Sequence, residues 1–593
     1  MIEKMRKYSF VLYHQDYTAF LEKLQSLGMV HIEKSRKDTS EKMIQNKELI
    51  AEYSEAIKFL QKIQDPEDGS SNLPTKAILN KITQARQERD KHQRQIETWQ
   101  KHIKDLKPWG HFDQRMIDLI ESSGLKIDFH TCLKNHFKQD WLDKYAVEII
   151  NEHGGLLYFA VIYTGESPQL EADTFSFHHH TLNDYEELVK KTQDEIRDID
   201  EYFKLTAKYA INAFRDEIAS LMREYEFEDA IIQADKEAED SLRVLTGWIP
   251  VTLDKELKSF LDATGIIYFS EDAKPDDNAP IKLKNNFFAK LFEPIAKMYM
   301  LPYYNDMDLT PMFAPFFMLF FGFCNADMAY GLIIIAAGWF MTKKAKNEAT
   351  KAYGKLIIFF GLSAVLMGWV MGSILGFDMK KIAGIGETVI IRENGQIFNF
   401  ALLLGAIQIL FGVFLNAVKA VRQSGFKHGI APFGTFLFLL ALSIMGSTLL
   451  GAKPTMLHQL AVYPLYLGLA MIMLFNAPGK NIIINILGGI WVMYNVVTGF
   501  FGDILSYIRL FALGVSSAIL GFVMNSIATN FLKIPIAGYI LFPIFMVLGH
   551  TLNLALGALG GFVHPMRLTF VEFFKNAGFS GPGIEYHPFG KTK

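Results

Sequence analysis

The 593-residue chain has only two cysteines, Cys132 and Cys324. They stand far apart in unlike surroundings, which excludes a disulfide framework and leaves no zinc spacing. No basic tract marks a nucleic-acid surface, and a net charge of −3 points to no partner. No phosphate-binding loop is present. The nearest string, NAPGK at 476–480, lacks the earlier glycine and the Ser or Thr after the lysine. The chain is therefore not expected to hydrolyse nucleotide itself. The opening, MIEKMRKYSF, has no apolar signal core, so the N-terminal half is expected to stay in the cytosol. Acid is the most telling scarcity. Of 63 acidic residues, only eight follow residue 310. Arginine is as scarce there: Arg392, Arg422, Arg509 and Arg567.

That scarcity divides a chain too long for one domain into a charged half and an apolar half. In the first, 5–13 reads as a strand and 16–27 as an amphipathic helix with Phe20, Leu21, Leu24 and Leu27 on one face. Gly28 ends it before a strand at 29–33. A similar unit recurs at 242–248, 253–263, Gly265 and 266–269. The two units are expected to pair into one small proximal head, residues 1–38 with 241–285. Between them run two long polar helical tracts, 40–107 and 183–240. The first breaks at 65–74. The second carries a thin apolar seam through Ile196, Phe203, Ala210, Phe214 and Leu221. This predicts an antiparallel coiled coil. A distal α/β head is expected over 108–182, with LLYFAVIY at 156–163 as a strand. The adjacent His178, His179 and His180 point in different directions and have no cysteine or carboxylate at ligand spacing, so no metal is expected.

The expected fold class is mixed. Residues 1–300 form a cytosolic arm of α/β heads joined by the coiled coil. Residues 301–593 form an all-α, multi-pass membrane domain. Its spans are expected near 312–325, 327–341, 354–375, 397–418, 431–450, 458–475, 484–526 and 536–574. Taking 312–341 as a hairpin puts more Lys and Arg in the inside loops than outside, the right sign for membrane orientation. Both termini are then cytosolic. The last two segments far exceed the ~20 residues a span needs, so they must tilt, bend or project.

Each of these long segments carries an arginine, and a charge at a bilayer centre costs about 2.5 to 3.5 kcal/mol on insertion scales. Arg567 shares a helical face with His564, Gly560, Gly557, Asn553 and His550. Arg509 shares one with Ser506, Gly502 and Thr498, and with Ser516 and Ser517 further on. The small residues also suit plain helix packing. The arginines also suit an internal ion pair, with Asp503 or Glu572, or snorkelling. His550 and His564 suit either a proton relay or simple hydrogen bonding. An arginine cannot lose its proton here, so each is a fixed positive charge.

Three stretches resemble a known family. GDILSYIRLFALG (502–514) and GGFVHPMRLTFVEFF (560–574) are similar to the two arginine signatures of the membrane stator subunit of rotary V-type and A/V-type ATPases, called subunit a or subunit I. FFGFCNADMAYGL (320–332) is similar to a third signature, with Ala326 in place of a glycine. The opening and GWIPVTLDKELKSFL (247–261) fit its cytosolic domain more loosely. The resemblance implies a non-nucleotide-binding subunit of an ion-translocating rotary complex, with no cofactor of its own. It implies Arg509 and Arg567 as paired stator arginines facing a rotor carboxylate. Ser506, Asp503, Ser516, Ser517, His550, Asn553, His564 and Gln408 become candidates for lining two half-channels. Implied partners are a rotor ring of small c/K-type proteolipid subunits, E- and G-type peripheral stalks, a d/C-type adaptor and, indirectly, the A- and B-type ATP-hydrolysing subunits. The implied location is a bacterial or archaeal plasma membrane. Gly557 replaces a glutamate of eukaryotic members, and Pro565 is expected to kink or unwind its helix. The competing readings are a self-contained secondary transporter, against which no internal repeat is seen among the spans, and a membrane-anchored scaffold.

Overall fold

The computed structural model describes residues 1–34, 36, 38–64, 74–111, 114–176, 181–238, 241–275, 277–345, 347–379, 388–450, 453, 455–477 and 481–590. His178, His179, His180 and most of the expected break at 65–74 lie outside the described residues. The chain is mostly helical with small sheets and divides into two compact units.

One unit holds Met1–Tyr17, Gly28–Glu33 and Asp235–Phe589. It contains a sheet built from both ends of the first half. Met5–Tyr13 pairs antiparallel with Leu242–Pro250, Met5 opposite Pro250 and Tyr13 opposite Leu242. Ile267–Asp272 adds to the free edge of the first strand, and His31–Ile32 to that of the second. The two-residue period puts Tyr8, Phe10 and Leu12 on one buried face, while Met5, on the other face, is buried with Trp248 and Ala279. Helix Asp254–Thr264 follows, and Gly265 ends it at φ +68°, a left-handed stop that suits glycine. At its first turn Asp254 accepts Tyr8 Oη at 2.5 Å and Arg6 Nη1 at 2.8 Å.

The other unit holds Thr18–Leu27, Lys34–Ala234 and the chain's last residues. Helix Leu182–Gln233 is 52 residues long, about 78 Å at 1.5 Å per residue. Thr181 and Asp184 form a reciprocal capping box at its start. Helices Glu41–Gln61 and Thr75–Leu106 pack along it, and the apolar seam becomes a core of Tyr53, Leu60, Leu79, Phe203, Ala210 and Phe214. A four-stranded antiparallel sheet runs Ala146–His153, Leu156–Tyr163, Lys126–Leu133, Asp173–Phe175.

From residue 310 the first unit changes character. Six described helical stretches are long and apolar enough to cross a membrane: Glu348–Met371, Gly395–Ser424, Phe426–Gly446, Met456–Phe475, Ile482–Phe531 and Ala537–Asn576. Thr310–Cys324 and Met328–Lys344 have 15 and 17 residues, about 22 and 25 Å, short of a ~30 Å hydrocarbon core. They meet at Asn325–Asp327, where Asp327 caps the second helix.

Neither long C-terminal stretch is one straight helix. The first divides into Ile482–Ser506 and Ile508–Phe531 at Tyr507. The fully buried Tyr507 ring lies against Gly405, where a Cβ would overlap it. The second passes through Pro565 as α-helix and then widens to i→i+5 bonding over Leu568–Phe573. Pro565 was expected to kink or locally unwind its helix. The departure comes just after it.

Candidate functional site

Arg509 is the second residue after the Tyr507 break. It is half-buried, and its Nη1 is buried with no hydrogen-bond partner among the described residues. Arg567 ends the α-helical part of the last segment with its side chain exposed. His564, one turn earlier, is half-buried. The wide turn then does something an α-helix would not. Residues five apart lie on different faces of an α-helix, but i→i+5 bonding brings them to one side. Glu572, five after Arg567, is 2% exposed and lies near Ser506. Arg509, Arg567, His564 and Glu572 lie within electrostatic reach of one another. Among the described residues neither arginine closes an ion pair, and Glu572 Oε2 is buried without a partner.

Asp503 does not join this group. Its carboxylate takes Lys575 Nζ at 2.9 and 3.1 Å and Asn576 Nδ2 at 2.7 Å, so it clasps the end of the last segment. Gln408 is fully buried, and its Oε1 accepts Tyr507 Oη at 2.6 Å. It braces the helix break. Ser516 is exposed, and Ser517 is half-buried.

His550 and Asn553 belong to a third group. His550 Nε2 meets Asn525 Oδ1 at 2.9 Å, and its Nδ1 meets Tyr330 Oη at 2.7 Å. Asn553 Nδ2 donates to Tyr330 Oη at 2.9 Å and to Ser517 O at 3.1 Å. Asn525 Nδ2 donates to Leu375 O at 2.8 Å. These bonds fix the tautomer. Since the Asn525 amide nitrogen faces a carbonyl, its oxygen faces His550, so Nε2 carries the proton and Nδ1 accepts from the tyrosine. Beside the knot, Asp327 accepts Ser373 Oγ at 2.9 Å and the Leu375 and Gly376 amides at 2.8 Å each. The polar groups of this knot are satisfied within the chain. A proton relay through His550 would have to break it.

Asn325 explains two of the small residues. A Cβ at Gly557 would come within 2.6 Å of Asn325 Oδ1, and one at Gly561 would overlap its Nδ2. The helix is small there because the Asn325 turn packs into it. Sequence reasoning assigned no role to Glu572 beyond a possible partner of Arg567, and none to Asn325, Asp327, Tyr330, Tyr507 or Asn525. The first three lie in motifs that were legible. Tyr507 lies in the quoted 502–514 stretch, whereas Asn525 carries no local signal. Among the described residues, no group of three or more His, Cys, Asp or Glu could hold a metal ion.

No family model matches the chain. It is similar end to end to the V-type ATP synthase subunit I of Borreliella burgdorferi, 27% identical over 616 residues covering all of both chains. It is 22% identical over 635 residues to the V-type ATP synthase subunit I 1 of Treponema pallidum, covering 99% of this chain and 100% of that one. The A-type ATP synthase subunit I of Methanocaldococcus jannaschii matches at 28% over 387 residues, 59% of this chain and 55% of its own. The match thus spans about half the length of that archaeal relative.

Proposed function

From this full-length similarity to subunit I, we propose that the chain is the membrane stator subunit of a rotary V/A-type ATPase. It forms the ion half-channels that face the rotor ring and couples ATP hydrolysis or synthesis to H+ or Na+ movement. The observation that carries this is the Arg509–Arg567–Glu572 group. Two fixed positive charges meet at the level of apolar helices, and Arg509 keeps a buried donor without a partner. Burying such a donor costs free energy unless something pairs with it.

A rotor carboxylate is the partner that fits. At an effective dielectric of 20, unit charges 4 Å apart attract by about 4 kcal/mol, against about 1 in water. That is enough to favour the ionised, ion-free carboxylate while it passes. The same charge bars a cation from slipping between half-channels. Glu572 sits close enough to both arginines to balance part of their charge, so the rotor carboxylate is held and then released. His564 lines the face beside Arg567. The eight-span count, with Thr310–Cys324 and Met328–Lys344 as a hairpin, belongs to this reading. So do the coiled-coil arm, cytosolic termini, a bacterial or archaeal plasma membrane, and contacts to proteolipid ring, peripheral stalks and adaptor.

The test is Arg509→Ala in the assembled complex. ATP-driven ion uptake into vesicles is expected to fall to background while the complex stays assembled by mass spectrometry. Uptake at the wild-type rate would remove the electrostatic role.

A further inference from the structure

A cavity of about 400 Å³ is lined by none of the arginine-face residues. Its walls come from helix Phe287–Tyr299 and from the helices that contain Phe321, Ile334, Leu356 and Ala558. The floor is closed by protein: Ile295, Phe321, Ile334, Leu356 and Phe360 are each at most 9% exposed. The mouth is open, with Met298 at 64% and Tyr353 at 49% exposure. Apart from the Tyr353 hydroxyl, no lining side chain has a polar group. Water needs two to four polar partners to settle in a cavity, so water does not fill this one well. Nor can the walls close. Next to the cavity, helices Met328–Lys344 and Glu348–Met371 already touch backbone to backbone, since a Cβ on Gly338 would come within 2.8 Å of Gly354 O.

The rim is basic. Lys343 and Lys344 lie over the Trp339 and Phe340 rings at 4.1 and 4.5 Å, and Lys355 lies over Phe287 at 5.5 Å. Aromatic rings with lysines above them mark a membrane–water interface. The acidic residues within these three helices are Glu293 and Glu348. Glu348 pairs with Lys351 at 2.8 Å, while Glu293 accepts from the neutral Asn285 amide at 3.0 Å and is not neutralised by it, which leaves one carboxylate against Lys343, Lys344 and Lys355. We propose that this cavity is a binding site for one anionic phospholipid, its acyl chain in the cavity and its phosphate among Lys343, Lys344 and Lys355. The proposal rests on the membrane reading above but not on the stator role. Such a lipid would wedge the short Met328–Lys344 helix, which alone does not match a bilayer's thickness.

The test uses the full complex in nanodiscs of phosphatidylcholine containing phosphatidylglycerol with a photoreactive diazirine in its acyl chain. After irradiation, labelled residues are mapped by mass spectrometry. Labelling at Met298, Ala337 and Ile357 is expected to exceed that at the exposed Leu366 and Leu467 at least five-fold. Ala337→Trp, which fills the cavity from an exposed position, is expected to bring it down to that level. Lys343→Ala with Lys344→Ala is expected to do so without filling anything. Equal labelling around the perimeter means annular lipid only and overturns the site. Equal enrichment from diazirine-labelled phosphatidylcholine overturns the choice of an anionic lipid. Absence of label at Leu366 and Leu467 as well would remove the membrane reading, and the proposal with it.

Discussion

The arginine face and the histidine knot are built on the same two C-terminal segments and look alike as sequence. Each gathers polar side chains at helical spacing within apolar helices. The structure separates them by partners. In the knot, His550 uses both ring nitrogens, and Asn525, Asn553 and Tyr330 close the circuit. At the arginine face, Arg509 Nη1 and Glu572 Oε2 are buried and unmatched. Buried polar groups in native proteins are nearly always paired; Gln408 Nε2 and Asn325 Oδ1 are unmatched too, but at the arginine face two unmatched groups of opposite charge lie near each other, which is where an external charged partner is expected. The knot holds helices together, whereas the arginine face is where the external partner proposed above would bind.

Arg509→Ala is the largest expected effect: transport lost, assembly kept. The knot should behave the opposite way. His550→Phe keeps the bulk of the ring but leaves Tyr330 Oη and Asn525 Oδ1 facing an apolar edge. Unsatisfied buried groups cost about 1–3 kcal/mol each. The purified complex is expected to melt several degrees lower, with specific transport per folded complex close to wild type. Full thermal stability with abolished transport would mean that His550 carries ions after all, and the comparison would collapse.

Glu572→Gln sharpens the other side. The amide keeps the size but removes the charge near both arginines. On the proposed function, transport is expected to fall several-fold rather than vanish, with a shifted dependence on ion concentration, because the proposed rotor carboxylate would then be held without a counterweight. A simple loss of folded protein, with the ion dependence unchanged, would make Glu572 a structural residue. Asp503→Asn is weaker still. Lys575 is 58% exposed, and an ion pair with so exposed a partner is worth at most about 1 kcal/mol. A melting shift of a few degrees and near-normal transport are expected. Abolished transport would bring Asp503 back into the ion path.

Much of this was legible in the chain. The paired strand units, the apolar seam and the long final segments follow from periodicity, because burial on one face writes a repeat of two or of about 3.6 into the sequence. Arg509 and Arg567 were legible because charge is so rare after residue 310. Partner choice was not. His550, Asn553, His564 and Arg567 share one helical stripe, yet the first two turn to Tyr330 and Asn525 from elsewhere in the chain. Glu572 was legible only as a possible ion-pair partner, because periodicity does not foretell the wide turn at Leu568–Phe573 that changes which residues share a face. Gly557 looked like a missing channel residue, but the space it leaves is taken by Asn325.

The smallest expected effect extends the comparison to a carboxylate outside the candidate spans. Asp254 resembles Glu572 in being buried, but its partners are present: Tyr8, Arg6 and Lys258. Burial alone would raise its pKa. The hydrogen bonds from Tyr8 and Lys258 and the charges of Arg6 and Lys258 outweigh it, so the pKa lies below the ordinary carboxylate value. A depressed pKa stabilises the fold above the unfolded value of about 3.9, and that contribution is lost as pH falls through the folded value. Melting of the first-half sheet, followed by hydrogen exchange at Met5–Tyr13, is therefore expected to lose protection as pH drops below about 4. Asp254→Asn should flatten that acid limb and cost stability at neutral pH, with ion transport affected only as far as folded protein is lost. An acid limb unchanged in Asp254→Asn would mean that the Tyr8–Arg6–Asp254 group is as loosely held as the arginine face. Satisfied and unsatisfied buried charges would then no longer separate structure from function in this chain.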